Sequence, residues 1–270
     1  MLGAIIGDVI GSVFEKENTK TLDFDLFTRF SRFTDDTVLT IAIADALLHR
    51  KKHQWRFIDA HHARKLYANK LKYYGRHFPN AGYGQMFKKW LKHDSVRGYG
   101  SYGNGSAMRV SPIGFAFDNI DEVRREAKLS AMVSHNHREG IKGAQAIASA
   151  VYLAHIGESK PTICDYIQTQ FRYDLSFTLD EIRPNYTFDS SCQNSVPQAI
   201  VAFLESDDFE DAIRKAISIG GDSDTIACMT GGIAHAYYQS IPSHIERPTK
   251  LILDASFKRV LNQFNEKYVM

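Results

Sequence analysis

The chain has 270 residues, 44% of them hydrophobic and 24% charged, so it can bury a core without disulfides or a structural metal. Its 33 lysines and arginines nearly balance 31 aspartates and glutamates, which excludes the broadly basic surface typical of general nucleic-acid or membrane binding. Three scattered cysteines match no CxxC spacing and predict reduced thiols. No stretch approaches the ~20 apolar residues of a membrane span, and the apolar N-terminus lacks the basic residues of a signal peptide, so we expect a soluble, cytoplasmic protein.

Most of the predicted elements are helices. Apolar residues recur at three- and four-residue spacing, as on helices that bury one face, in Val38–Leu48, Ala144–Ala154, Ala199–Leu204, Ile213–Ile219 and Ile226–Tyr238. Strand-like alternation is scarce, and its best example, Tyr186–Phe188, is interpreted as loop because Pro184 and a serine pair flank it. Further loops are predicted at Gly75–Gly84, Gly98–Gly105 and Phe171–Gln193.

Small residues near the N-terminus indicate close helix packing. Gly3, Gly7 and Gly11 fall four residues apart, as do Ala42 and Ala46, so each set lies on one helix face and lets a second backbone approach. Acidic motifs stand near both ends of the chain, and a shared site would require those ends to meet. We therefore predict one compact all-α domain over residues 1–270.

Two acidic motifs directly precede predicted helices: Phe33-Thr34-Asp35-Asp36-Thr37 and Gly220-Gly221-Asp222-Ser223-Asp224-Thr225. Either motif alone is typical of a helix N-cap, where a Thr or Asp side chain accepts backbone N–H groups. A cap needs one such side chain, however, and crowded carboxylates are costly unless a cation compensates them. Oxygen donors without His or Cys favour Mg²⁺ or Mn²⁺ over zinc, and the four carboxylates together could hold two ions about 3.5–4 Å apart.

A glycine-rich stretch, Gly98-Tyr-Gly100-Ser-Tyr-Gly103, formally matches G-x-G-x-x-G, but no strand precedes it and a dinucleotide-binding fold is not predicted. Its exposed backbone N–H groups could still cradle phosphates, with Arg109 nearby and Tyr99 or Tyr102 stacked on a base or ribose. An ordinary flexible turn is the alternative.

The histidines give a weaker signal. His135 and His137 precede a helix predicted to begin near Ile141, and they lack the further ligands of a zinc site. Each is interpreted either as a structural residue or as a hydrogen-bond donor to phosphate. The histidines of His49–His53 and His61–His62 are predicted to lie on exposed helix faces.

Five ordered strings resemble the ADP-ribosylglycohydrolase family, which includes the dinitrogenase-reductase-activating glycohydrolases. They are Gly3-Ala-Ile-Ile-Gly-Asp8-Val-Ile-Gly-Ser12-Val-Phe-Glu15, Phe33–Thr37, Gly100-Ser-Tyr-Gly-Asn-Gly-Ser-Ala-Met-Arg109-Val-Ser-Pro112, Ser134-His-Asn-His137 with Glu139-Gly-Ile-Lys-Gly-Ala-Gln145, and Gly220–Thr225. Ser195-Val-Pro-Gln-Ala199 with Phe203-Leu204 is similar to the family as well. The strings run from the N-terminus to about residue 238 in the family's order.

The resemblance implies an orthogonal helix bundle with a central pair of Mg²⁺ or Mn²⁺ ions. The implied metal ligands are Thr34, Asp35, Asp36, Asp222, Asp224 and Thr225. The implied contacts to ADP-ribose are Gly100, Ser101, Tyr102, Gly103, Asn104, Gly105 and, at the diphosphate, His135. Glu15 matches the family's mobile catalytic glutamate, and Glu15, Asp35 and Asp36 are the candidate catalytic residues.

The implied reaction is hydrolysis at ribose C1″, which releases ADP-ribose from a modified acceptor. The acceptor is a protein side chain such as Arg or Ser, or another group; charge does not indicate nucleic acid but leaves it open as an acceptor. Two alternatives stay open at this point: a two-metal hydrolase of a free ADP-ribose derivative or nucleotide, and a non-catalytic, crystallin-like relative.

Overall fold

A computed structural model describes residues 1–51, 54 and 56–269 of the chain. Within these residues it contains fifteen helices and no β-strand; Gly103 and Ser191 form an isolated antiparallel bridge. The helices are α1 (Leu2–Gly11), α2 (Asp35–Leu48), α3 (Arg56–His77), α4 (Gln85–Leu91), α5 (Gly105–Met108), α6 (Ser111–Phe115), α7 (Ile120–Ala131), α8 (Arg138–His155), α9 (Lys160–Phe171), α10 (Leu179–Ile182), α11 (Cys192–Leu204), α12 (Phe209–Ser218), α13 (Ser223–Tyr238), α14 (Ser243–Ile252) and α15 (Ala255–Tyr268). The prediction of an all-α fold is confirmed.

Four of the five segments with helical periodicity lie wholly within helices, in α2, α8, α11 and α13, and the fifth, Ile213–Ile219, lies in α12 except for Ile219, which caps that helix. Tyr186–Phe188 is loop, as predicted. The predicted loop Gly75–Gly84 was wrong at its start, because α3 continues to His77. The predicted loop Phe171–Gln193 was wrong in three places, since Phe171 ends α9 and the segment contains α10 and the first residues of α11. The predicted loop Gly98–Gly105 was wrong at its last residue, where α5 begins.

Local capping explains where two of the helices, α10 and α8, begin. The short helix α10 begins with a capping box, in which Thr178 N–H donates to Glu181 Oε2 at 2.7 Å and Glu181 N–H donates to Thr178 Oγ1 at 3.3 Å. Helix α8 begins at Arg138, three residues before Ile141, because the His137 ring accepts the Glu139 N–H at 3.2 Å. His61 and His62 are exposed on α3, as expected. The prediction was wrong for His49, which is exposed but follows the last residue of α2; His53 lies outside the described residues.

Helix α1 packs closely against α13, in agreement with the close packing that the glycine spacing predicted. A Cβ on Gly3 would lie 2.2 Å from Gly231 O, and one on Gly7 would lie 2.0 Å from Ala227 O. At Gly11 it would lie 2.5 Å from Asp224 Cα. Every residue of α1 is buried. Glycine is therefore required for α1 to lie directly against the helix that carries the second acidic motif.

Charged residues also bind α2, α3 and α7 together. Arg50 Nη2 lies 2.7 Å from Asp59 Oδ2 and 2.9 Å from Glu126 Oε1. Arg125 contacts both carboxylates, and Tyr67 Oη donates to Glu126 Oε2 at 2.8 Å. We call Arg50, Asp59, Arg125 and Glu126 the paired cluster. No helix in the described ranges combines the length and apolarity needed to cross a bilayer.

Candidate metal centre and ligand cavity

Asp8 on α1 anchors the start of α2. Its carboxylate accepts the backbone N–H of Thr34 at 2.9 Å and of Thr37 at 3.0 Å, and the Thr34 hydroxyl at 2.6 Å. Three of the donors at this helix start are therefore satisfied by a residue 26 or more positions away in the chain. Asp8 was not among the predicted site residues. The signal in the sequence that could have indicated Asp8 is its single charge inside an apolar, helix-forming N-terminus.

Carboxylates from α1, α2 and α13 converge at this point. Oxygen atoms of Asp8, Asp36 and Asp224 lie within 4.8 Å of one another, and so do oxygens of Glu15, Asp222 and Asp224. The two predicted acidic motifs thus meet, although they are far apart in the sequence. Each group has the composition and spacing to hold a hard divalent cation.

Hydrogen bonding at the two motifs shows which of their side chains cap a helix and which do not. Thr34 is the N-cap of α2 and accepts the Asp36 N–H at a long 3.4 Å. Asp222 is the N-cap of α13, but its side chain makes no capping bond and accepts Asn104 Nδ2 at 2.7 Å instead. Asp36 Oδ2 accepts the Thr225 hydroxyl at 3.3 Å, while Asp36 Oδ1 is buried with no hydrogen-bond partner. A buried, unpartnered carboxylate oxygen fits a cation ligand.

The carboxylates of the two motifs and Glu15 lie where a negative charge is unfavourable. Burial, reinforced by the neighbouring carboxylates, raises the pKa of Asp36 and of Asp224 well above the ordinary value. Burial and the charge of Asp8 raise the pKa of Asp35 to about 8. For half-buried Glu15, burial and then Asp222 raise the pKa. In the part of the chain that the structure describes, no lysine or arginine forms an ion pair with these groups, so a bound cation would be the compensating charge.

The acidic groups line part of a cavity of about 370 Å³. Residues 99, 101 and 103–105 of the glycine loop (residues 98–105) line it as well, together with His135 and Arg109, and Met86, Phe87 and Phe188 add apolar surface. Met86 and Phe188 are both more than half exposed, so they lie towards its mouth. One cavity therefore offers both carboxylates and backbone and ring N–H groups, as a ligand with a polyhydroxylated part and an anionic part would require.

The structure brings together most of the predicted site residues. Those that line the cavity are Glu15, Asp35, Asp36, Ser101, Gly103, Asn104, Gly105, His135, Asp222, Asp224 and Thr225. Three predicted residues lie outside its lining. Thr34 donates its hydroxyl to Asp8, Gly100 N–H donates to Asn136 Oδ1 at 2.6 Å, and Tyr102 is 55% exposed with its ring 5.6 Å from that of His137.

Comparisons with known proteins agree with this geometry. The model of the family described as ADP-ribosylglycohydrolase matches residues 1–268. ADP-ribosylhydrolase ARH3 from Gallus gallus is 28% identical over 99% of this chain and 92% of its own, and that from Homo sapiens is 29% identical over 88% and 84%. ADP-ribosylarginine hydrolase Tri1 from Pseudomonas putida is 25% identical over 88% of this chain and 69% of its own.

A solved structure described as an ADP-ribosylglycohydrolase-related protein complex covers 98% of this chain and 95% of its own with a TM-score of 0.72; at 21% identity it supports the fold. The named relatives are hydrolases, which favours neither a nucleotide hydrolase nor a crystallin-like protein. The chain belongs to the ADP-ribosylglycohydrolase family and is a hydrolase that removes ADP-ribose from a modified acceptor.

Proposed function

We propose that the chain binds two divalent cations, Mg²⁺ or Mn²⁺, and hydrolyses the bond between ribose C1″ and the acceptor. The supporting observation is the convergence of buried carboxylates without ion-pair partners in a cavity that a glycine loop also lines. The proposed ligands are the six residues of the two motifs, Thr34, Asp35, Asp36, Asp222, Asp224 and Thr225; Asp8 is added because its oxygens belong to the same group. Such cations stabilise developing negative charge and lower the pKa of a bound water.

Glu15 is the proposed general base. It borders the cavity, and its carboxylate lies within 4.8 Å of those of Asp222 and Asp224. Burial and Asp222 raise its pKa, which makes the carboxylate a better proton acceptor near neutral pH. Asp35 and Asp36, whose pKa values are also raised, would orient the reacting water and the ribose hydroxyls.

The glycine loop and His135 are proposed to hold the rest of the ligand. Backbone N–H groups of Ser101 and Gly105 would bind the diphosphate, together with the His135 ring, while the Gly103 N–H donates to Ser101 Oγ at 3.1 Å. Gly100 and Tyr102 lie outside the cavity lining but in the same loop, and the exposed Tyr102 ring would be available to stack on a base. Anchoring the remote diphosphate would fix C1″ near the carboxylates of the cavity.

The acceptor is proposed to be a protein side chain, since relatives carry the names ADP-ribosylhydrolase and ADP-ribosylarginine hydrolase. It would leave the cavity past Met86 and Phe188. We further propose that residues 1–270 are one domain and that the protein is cytoplasmic, a location supported by its three free cysteines, Cys164, Cys192 and Cys228.

The test is hydrolysis of peptides ADP-ribosylated on Arg or on Ser, compared with free ADP-ribose 1″-phosphate, in Mg²⁺, in Mn²⁺ and in EDTA. We expect ADP-ribose release from a peptide that needs a divalent cation. Full turnover in EDTA would contradict the metal proposal, and cleavage of the free phosphate alone would contradict the protein acceptor.

A further inference from the structure

Three buried polar side chains form a hydrogen-bonded row beneath the glycine loop. Arg109 Nη2 lies 2.7 Å from Ser134 Oγ, and Ser134 Oγ lies 2.8 Å from His135 Nδ1. Arg109 and Ser134 have no exposed surface, and His135 is 6% exposed. Arg109 Nη2 also donates to the backbone oxygen of Ser130 at 3.2 Å. The proposed reaction uses neither Arg109 nor Ser134.

The chemical groups in this row determine which atom donates each hydrogen bond. A guanidinium group has only N–H donors, so Ser134 Oγ must accept from Arg109. The Ser134 hydroxyl hydrogen then needs an acceptor of its own. Among the described residues, Ser134 Oγ has hydrogen-bonding contacts only with Arg109 and His135, so the hydroxyl donates to His135 Nδ1. The opposite arrangement would leave a buried hydroxyl hydrogen without a partner.

An imidazole whose Nδ1 accepts a hydrogen bond carries its proton on Nε2. Burial, and then the charge of Arg109, hold the pKa of His135 well below its ordinary value, so the ring is neutral with a single N–H. The Nε2 end faces the glycine loop: a Cβ on Gly105 would lie 2.9 Å from Nε2, and one on Gly103 would lie 3.9 Å away. Within the described chain, no protein group hydrogen-bonds Nε2.

We infer that Ser134, oriented by Arg109, is a positioning residue that fixes His135 in the Nε2–H tautomer and so presents a neutral N–H donor to an anionic group in the glycine loop. The identity of that group as the diphosphate of ADP-ribose rests on the proposed function. Arg109 reaches the His135 ring only through Ser134, and its Nε and Nη1 atoms are buried without protein partners. A donor that needs no protonation keeps its hydrogen bond throughout the neutral pH range.

The direct test is long-range ¹H–¹⁵N correlation NMR on ¹⁵N-histidine-labelled protein, without ligand, with the His135 signals identified by their loss in His135→Gln. The wild-type ring should show a pyrrole-type Nε2 and a pyridine-type Nδ1. Ser134→Ala should shift His135 towards a mixture of tautomers, and Ser134→Thr, which restores a hydroxyl, should return it to Nε2–H.

Ser130→Ala is the matched control. Ser130 is equally buried and lies four residues earlier, but its hydroxyl donates only to Ala127 O, and alanine retains the backbone oxygen that Arg109 uses. This variant should leave the His135 signals unchanged. A wild-type Nδ1–H tautomer, or an unchanged tautomer in Ser134→Ala, would overturn the inference; the wild-type spectrum decides it even if a variant fails to fold.

Binding supplies the second measurement. Calorimetric titration with ADP-ribose, and with inorganic pyrophosphate as a simpler anion, should give about tenfold weaker binding to Ser134→Ala and unchanged binding to Ser130→Ala. Equal affinities in all variants would overturn the donor role. If wild-type protein has the Nε2–H tautomer and binds pyrophosphate but not ADP-ribose, the proposed function fails while the inference about His135 stands.

Discussion

Asp59 and Glu126 in the paired cluster are as deeply buried as Asp36 and Asp224 at the cavity, at 3% and 1% exposed against 2% and 5%. Their surroundings are opposite. Asp59 and Glu126 contact Arg50 and Arg125, and Tyr67 donates a further hydrogen bond. Asp36 and Asp224 have other carboxylates as neighbours, and these neighbours raise their pKa values beyond the effect of burial.

The comparison separates burial from function. A buried carboxylate is tolerated when arginines and hydroxyls supply the charge and hydrogen bonds that water would supply. The paired cluster meets this condition with protein groups alone, so its role is to hold α2, α3 and α7 together. The cavity carboxylates do not meet it, and this unmet demand, more than the number of acids, marks the candidate metal site.

The largest expected effect follows from removing one unpaired charge. Asp36→Asn should lower the rate of ADP-ribose release by at least about a hundredfold. Its thermal stability in EDTA should not fall, because the amide removes a like charge from a buried cluster. Parallel activity assays and melting curves measure both. Asp180→Asn, on an exposed side chain, is the control and should retain activity; a destabilised but active Asp36→Asn would remove the distinction between the clusters.

Breaking the paired cluster should lower the stability of the protein, which Asp36→Asn should not do. Arg50→Met leaves buried carboxylates with less compensation and should cost about 3 kcal/mol of unfolding free energy. The loss should be the same in EDTA and in Mg²⁺, because no cation is expected at this cluster. Urea denaturation in the two buffers measures it. A loss that Mg²⁺ reverses would mean that the paired cluster also depends on a cation.

Sequence patterns could predict the cavity carboxylates better than the paired cluster. Thr34–Thr37 and Asp222–Thr225 are contiguous, so their surplus of acid over the needs of a cap was visible. Gly3, Gly7 and Gly11 predicted the close packing that brings the ends together. Each of these signals is local, a matter of spacing within one element.

The remaining features depend on distant partners. Asp8 binds backbone N–H groups 26 and 29 residues away, and Arg50 contacts Glu126 across 76 residues. The Arg109–Ser134 hydrogen bond spans 25 residues. In each case the sequence shows a charged residue without its partner nearby, and only the folded chain decides whether that partner is a backbone group, an opposite charge or a hydroxyl.

A smaller effect should appear when pH is varied without cations. Asp35 titrates at 3.8 ordinarily and at about 8 in the folded chain. Between these values the folded state retains a proton that the unfolded state has released, so stability is full below pH 4 and is lost as pH rises towards 8. The melting temperature in EDTA should fall by about 5 °C across this window.

Asp35→Asn, which cannot titrate, is the control and should reduce this dependence, and the remainder comes from the other carboxylates with raised pKa values. Mg²⁺ should also restore stability increasingly towards pH 8, because the cation competes with the proton. A chelated wild-type protein that becomes more stable over the same range would contradict the assignment of Asp35 to an uncompensated acidic group.

The smallest effect should come from the outer arginine of the paired cluster. Arg125 is 25% exposed at its side chain, against 5% for Arg50, although both contact Asp59 and Glu126. Solvent screens the exposed partner, so Arg125→Gln should cost about 1 kcal/mol, clearly less than Arg50→Met. Raising the salt concentration should shrink the Arg125 effect and leave the Arg50 effect in place. Equal costs at both positions would show that total charge, and not the burial of the partner, determines the stability of the cluster.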